Sequence, residues 1–120
     1  MPLRVLLDES VPRGLRSLLP DHQVSTVQEM GWAGIENGEL VKRAGEFAVF
    51  VTADRSIEHQ QNLAALEVGI VLLVARSNRM EAYLPLADNL VAAVKSVGLG
   101  ELIKIAAQQW LIQTGFRPAG

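Results

Sequence analysis

An α/β domain on a central, mostly parallel sheet is the fold class this 120-residue chain predicts. Apolar runs at residues 3–7, 47–52 and 69–75 are nearly continuous, as expected for strands covered on both faces. Each run is followed by a polar loop and then by apolar residues at helical spacing. That alternation implies right-handed crossovers between parallel strands. With 49% apolar residues at this length, the chain reads as a single domain, residues 1–120, with no linker.

The first run, Leu3-Arg4-Val5-Leu6-Leu7, carries Asp8, Glu9 and Ser10 to its C-terminal end. Ser10, Pro12 and the spacing of Leu15, Leu18 and Leu19 then predict a helix with one buried stripe. Leu19-Pro20-Asp21 breaks the pattern, and the less apolar, alternating residues 22–27 predict an edge strand. Gly31-Trp32-Ala33-Gly34 is a loop, and Asn37 is the expected N-cap of a helix through Leu40, Val41 and Ala44 that Gly45 stops. The strand at residues 47–52 ends in acid at Asp54, and Arg55-Ser56-Ile57 opens a further helix with Leu63 and Leu66 inside. After the strand at 69–75 comes the basic loop Arg76-Ser77-Asn78-Arg79. Pro85 suits the first turn of a helix striped by Leu86, Leu90, Val94 and Val97 and stopped by Gly98 and Gly100. In the tail, residues 102–106 and 110–114 alternate well enough to predict a small C-terminal β-hairpin. A flavodoxin-like strand order of 2-1-3-4 follows for the rest.

Composition removes several functions. Thirteen acidic against eleven basic residues leave no global basic field, so any nucleic-acid contact must be local. The absence of cysteine excludes disulfides, thiolate metal sites and cysteine nucleophiles. Met-Pro-Leu-Arg has no signal-peptide pattern and no apolar run is long enough to span a bilayer, which predicts a cytoplasmic protein without a membrane partner.

The carboxylates carry the chemistry. The 2-1-3-4 order makes the first and third strands neighbours, roughly 4.8 Å apart, so Asp8 and Asp54 come within reach of one divalent cation. Without a cation the pair would repel. Glu9 or Glu39 is expected nearby, and Glu36 and Glu39 also suit the dipole at the start of their helix. The alternative is that Asp8 and Asp54 each cap the following helix, a role open equally to Ser10 and Ser56. Arg13, Arg16, Arg55, Arg76 and Arg79, five of the eleven basic residues, should rim the same end. An acidic centre with a basic rim suits a phosphodiester, gripped by arginine while a metal polarises it and generates hydroxide. His22 and His59 read as a strand-start and a helix-surface residue, and Trp32 either stacks a base or plugs the core.

Leu6-Leu7-Asp8-Glu9-Ser10-Val11-Pro12, Gly38-Glu39-Leu40 leading to Ala44, Phe50-Val51-Thr52-Ala53-Asp54 and the strand after Gly69 together resemble the small PIN-like domains grouped as a domain of unknown function, DUF5615. The resemblance covers nearly the whole chain and implies a PIN-like three-layer sandwich. It further implies a Mg²⁺- or Mn²⁺-dependent endoribonuclease acting on RNA, as in many toxins of toxin–antitoxin pairs, with an antitoxin protein as partner. On that basis Asp8, Asp54 and Glu39 are the catalytic candidates, Asp8, Asp54 and Glu9 the metal ligands, and Arg13, Arg55, Arg76 and Arg79 the substrate contacts. The family pattern usually has Asn where this chain has Ser10, Asp where it has Asn37, and a second acid where it has Ser56. Only two of the expected carboxylates carry over directly, so the metal should be held more weakly.

Two readings from other classes stand beside it. A phosphoacceptor receiver-like domain shares the length, the acids after strands one and three, and a late lysine, Lys104, although no proline follows that lysine and a hairpin replaces the fifth strand. A catalytically inactive PIN-like module would keep the fold for binding alone. Trp110 and Ile112 in the tail predict self-association as a homodimer or a bound partner chain.

Overall fold

Consecutive apolar positions in the predicted strands have a simple cause, because each strand has two covered faces. A computed structural model describes residues 2–60 and 63–106. Five strands, β1 (Arg4–Leu7), β2 (Gln23–Thr26), β3 (Val49–Thr52), β4 (Gly69–Val74) and β5 (Leu102–Ala106), form one sheet in the order β2-β1-β3-β4-β5. Every pairing is parallel. Successive side chains alternate between faces. Val5, Leu7, Val49, Val51, Val71 and Leu73 thus meet Leu15, Leu90 and Val94 on one side. Leu6, Phe50, Ile70 and Leu72 meet Leu40, Val41 and Ile57 on the other. The interior strand β3 is buried along its whole length, whereas β2 at the edge is only partly covered, with Thr26 its one buried residue.

Among the described residues three α-helices accompany the sheet: α1 (Asn37–Arg43), α2 (Met80–Tyr83) and α3 (Ala87–Ser96). The predicted stripe of α3 is present, with Leu86, Leu90 and Val94 buried, and Pro85 lies in a 3₁₀ turn just before it. Val97 departs from the helix as its extended C-cap. The helices predicted after β1 and β3 are instead 3₁₀ segments, Arg13–Leu18 and Arg55–His59. Ser10 does not start the first of these, because its hydroxyl is committed elsewhere, and no side chain caps that segment. α2 has no counterpart in the sequence reading.

The C-terminal hairpin is corrected in part. Residues 102–106 form a parallel strand beside β4, with Ile103 opposite Val71 and Ile105 opposite Leu73. The buried edge of β4 supplies a full row of backbone partners, which a hairpin at that point would leave unpaired. The second arm, residues 110–114, with Trp110 and Ile112, lies outside the described residues. No helix among the described residues is long and apolar enough to cross a membrane.

Gly100 fixes the entry to β5. Its φ is +76°, its N–H donates to the Val68 carbonyl at 3.1 Å, and a Cβ there would stand 2.6 Å from the Ala64 carbonyl oxygen. Gly31, with φ +75°, has nothing within 4 Å of the same position. Gly31→Ala should therefore cost about 1 kcal/mol, the left-handed backbone term alone, and Gly100→Ala at least about 2 kcal/mol. Urea unfolding of both variants checks this, and equal losses would show that the Ala64 contact is immaterial.

Candidate active site

Asp8 follows the last residue of β1 and its backbone N–H donates to the Val51 carbonyl at 2.9 Å, so the ladder itself sets the side chain beside the end of β3. The carboxylate is 5% exposed. Its Oδ2 accepts from Ser10 Oγ at 2.6 Å and from Thr52 Oγ1 at 2.8 Å. Each hydroxyl in turn accepts a backbone N–H, Ser10 from Ala53 at 2.9 Å and Thr52 from Asp54 at 3.0 Å. Both hydroxyl protons are thereby spent on Asp8, and the 3.2 Å approach of Ser10 Oγ to Thr52 Oγ1 is a contact without a proton to share. Oδ1 accepts nothing among the described residues, and none of their buried side-chain oxygens lacks a partner. Oδ1 accordingly faces open space.

That space is a cleft of about 680 Å³ at the C-terminal edge of the sheet, whose walls include Asp8, Glu9, Glu36 and Asp54. Asp54 Oδ1 accepts from the Ser56 N–H at 2.9 Å, the N-cap contact of the Arg55–His59 segment. Its Oδ2 accepts from Asn37 Nδ2 at 2.9 Å, and the same amide reaches Ser56 Oγ at 2.8 Å. The Ser56 backbone N–H, the Ser56 hydroxyl and the Asn37 amide hold the Asp54 carboxyl below its ordinary pKa, against a smaller opposing effect of burial. The capping alternative is thus true of Asp54 and not of Asp8. Asn37, the expected N-cap, is the first residue of α1; Glu36 precedes it, and the Asn37 amide is turned across the cleft.

The other candidates divide. Glu9 lines the cleft, with Oε1 accepting from the Gly34 N–H at 3.2 Å. Glu36 lines it too, whereas Glu39 does not and pairs with Arg43 at 3.2 Å on the outer face of α1. Glu36 is the N-cap of α1 at the cleft, whereas Glu39 lies within the helix, half exposed and turned to Arg43. None of Arg13, Arg55, Arg76 and Arg79 is a wall residue of this cleft. Arg55 borders a smaller adjoining pocket, held loosely by Glu58 at 3.7 Å, and Arg79 pairs with Glu81 at 3.8 Å. Arg16 pairs with Glu29. His22 Nδ1 accepts the Leu3 N–H at 3.1 Å, a structural role, and Trp32 packs edge-on against Phe47 as part of the core. Thr52 and Asn37 were legible only as a strand end and a cap, since nothing in the sequence spacing says which hydroxyl or amide a distant carboxylate will meet.

The donor set fits a loosely held, hydrated Mg²⁺ or Mn²⁺. Such ions are usually bound by one or two carboxylates together with water and substrate phosphate. Among the described residues Asp8 Oδ1 accepts no hydrogen bond, and each Asp54 oxygen keeps a lone pair. Among the described residues no three acidic or histidine side chains converge as a cage. The Asn37 amide competes with a cation for Asp54. No family model, no curated protein and no solved structure matches this chain.

Two outcomes follow. Asn37→Asp replaces a donor 2.9 Å from Asp54 by a like charge. In chelator this variant should melt below the wild type, and Mn²⁺ should restore it and bind roughly tenfold more tightly than to the wild type. Unchanged Mn²⁺ affinity by calorimetry would remove Asp54 from the site. Elsewhere, the hydrogen bond from Lys104 Nζ at 3.0 Å, then the charges of Lys104 and Arg55, hold the Glu58 carboxyl below its ordinary pKa. A depressed carboxylate contributes stability above its unfolded pKa of about 4.3, and the contribution fades as pH falls through the lower folded value. Carbon-detected NMR titration should show the Glu58 midpoint moving upward in Lys104→Met, and an unmoved midpoint would refute the pairing.

Proposed function

We propose that this chain is a PIN-like, divalent-metal-dependent ribonuclease that cleaves single-stranded RNA. The observation that carries the reading is the meeting of Asp8 and Asp54, 46 positions apart in sequence, in the wall of one cleft at the ligand-binding edge of a parallel sheet. A Mg²⁺ or Mn²⁺ ion, when bound by Asp8 and Asp54, supplies Lewis-acid polarisation of the phosphodiester and activation of the attacking water.

The chain's own residues supply position. Ser10 and Thr52 fix Asp8 through Oδ2 and leave Oδ1 presented to the cleft, so little side-chain freedom remains to be lost when a ligand arrives. Asn37 and Ser56 orient Asp54 in the same way. Glu9 and Glu36 keep the cleft negative, which attracts a cation and repels bare phosphate. RNA affinity then rests on basic residues around the cleft, Arg55 foremost, and should fall with salt. The family's association with toxin–antitoxin pairs makes a companion antitoxin chain the partner to seek beside this one, and a cytoplasmic setting accords with an RNA substrate.

One finding favours a second reading. The fifth parallel strand completes the 2-1-3-4-5 order of a receiver-like domain and bears Lys104. That lysine donates to Glu58 and, among the described residues, is not a wall residue of the acid cleft, which speaks against a phosphoacceptor role. Incubation with acetyl phosphate should leave Asp54 unlabelled.

The principal test is incubation of purified protein with structured and unstructured RNAs in Mn²⁺, Mg²⁺ or chelator. Unstructured RNA should be cut in metal only, and Asp8→Asn should lose at least about 100-fold in rate. Cleavage persisting in that variant or in chelator would defeat the mechanism, and no cleavage of any substrate would leave an inactive binding module.

A further inference from the structure

Asn37 is followed by Gly38, and no other asparagine in the chain precedes a glycine. Asn62 and Asn89 precede leucine, and Asn78 precedes arginine. Asn37 and Gly38 both stand in the wall of the acid cleft, half-buried and within reach of solvent. From this placement we infer that the chain modifies itself: the Gly38 backbone nitrogen displaces the Asn37 side-chain amide, and water leaves aspartate at position 37, a further carboxylate beside Asp54. The conversion stands on its own chemistry, and its effect on the cleft rests on the metal reading given above.

Water is the only co-reactant. The Gly38 nitrogen gives its proton to solvent base and bonds to Cγ of Asn37; the Cγ–Nδ2 bond breaks, Nδ2 leaves as ammonia, and a cyclic imide remains. Water then opens the imide at Cγ, which restores the Gly38 N–H and leaves a carboxylate. Opening at the main-chain carbonyl would instead insert a methylene at the start of α1, so the product that keeps the helix is aspartate. Gly38 is suited to the attack in two ways. Without a Cβ its nitrogen can come close to Cγ. Its N–H also donates to nothing among the described residues, since it precedes the first helical bond, from Leu40 to Glu36. The other described asparagines differ, because the Arg79 N–H after Asn78 is committed to Ser77 Oγ at 3.3 Å and Asn89 lies inside α3. No side chain caps α1, so its first turn opens at low cost. To react, the Asn37 amide must leave Asp54 and Ser56, which makes the conversion slow beside folding. Once it has happened, a donor 2.9 Å from Asp54 has become a like charge, and a cation between the two carboxylates relieves the repulsion. The chain as synthesised closes this edge with hydrogen bonds, and the converted chain calls for metal.

The test separates conversion from metal binding. The full chain is aged in warm, mildly alkaline heavy-oxygen water and its peptides are read by tandem mass spectrometry. The peptide bearing position 37 should gain a solvent oxygen as aspartate, while those bearing Asn78 and Asn89 keep their amides. Gly38→Ala, whose Cβ would meet only Gln60 Oε1 at 3.4 Å, keeps the fold and should slow the gain at least about tenfold, or about 1.4 kcal/mol on the barrier. Calorimetry should show the Mn²⁺ affinity of the aged protein rising roughly tenfold, to that of Asn37→Asp, with no rise in aged Gly38→Ala. If position 37 stays unlabelled while Asn37→Asp binds Mn²⁺ more tightly, the conversion is overturned and the metal reading stands. If position 37 is labelled while neither the aged protein nor Asn37→Asp binds Mn²⁺, the metal reading falls and the conversion stands. Isoaspartate as the sole product, or equally fast labelling of Gly38→Ala, overturns the inference.

Discussion

The two hydroxyls that close on Asp8 Oδ2 depend on β1 and β3 lying side by side in parallel register, and most of what the C-terminal edge offers depends on those hydroxyls. A carboxylate that is 5% exposed must be compensated, and here Ser10 comes from its own loop while Thr52 comes from the neighbouring strand. The same hydroxyls accept the N–H groups of Ala53 and Asp54, so the chain leaving β3 is pinned by the side chains that pin Asp8. The position of Asp54 is thereby coupled to that of Asp8 through two hydrogen bonds that meet at the Thr52 hydroxyl. Networks of this kind are costly when partly satisfied and rigid when complete, and this one is complete on its buried side.

Apolar packing makes that register firm. Leu6 and Leu7, on opposite faces, are each buried against a separate cluster, so a one-residue slip of β1 would exchange every contact on both sides. The sheet's two covered faces therefore protect a polar arrangement at its edge to which they contribute a single buried hydroxyl, that of Thr52.

Asn37 is where structure and chemistry pull in different directions. Its amide joins Asp54 to Ser56 and stabilises the folded edge without a cation, while occupying a lone pair that a cation would use. A carboxylate at this position would reverse both effects. The cleft is thus one whose fold is satisfied by hydrogen bonds alone and whose affinity for a metal is correspondingly limited. Recognition of a phosphate-bearing ligand falls to residues outside the acid centre.

Periodicity and burial run directly from the amino-acid sequence, so the three apolar strands, the edge character of residues 22–27, the α3 stripe and the arrival of acid after β1 and β3 were legible there. Strand order was legible too, because parallel crossovers have one hand. The 3₁₀ form of the segments after β1 and β3 was not, since Ser10 and Asp54 look alike as caps until tertiary contacts commit one to Asp8 and leave the other to Ser56. The strand at 102–106 was legible but its parallel pairing was not, because an alternating run pairs with whichever edge is available, and only the folded sheet presents β4. Glu36 rather than Glu39 lines the cleft, Glu39 being paired with Arg43 along α1, and among the arginines outside it Arg55 and Arg79 settle on nearby carboxylates. Sequence fixes which groups lie at the ends of elements; which of them touch is a property of distances between residues far apart in the chain, and only packing determines those.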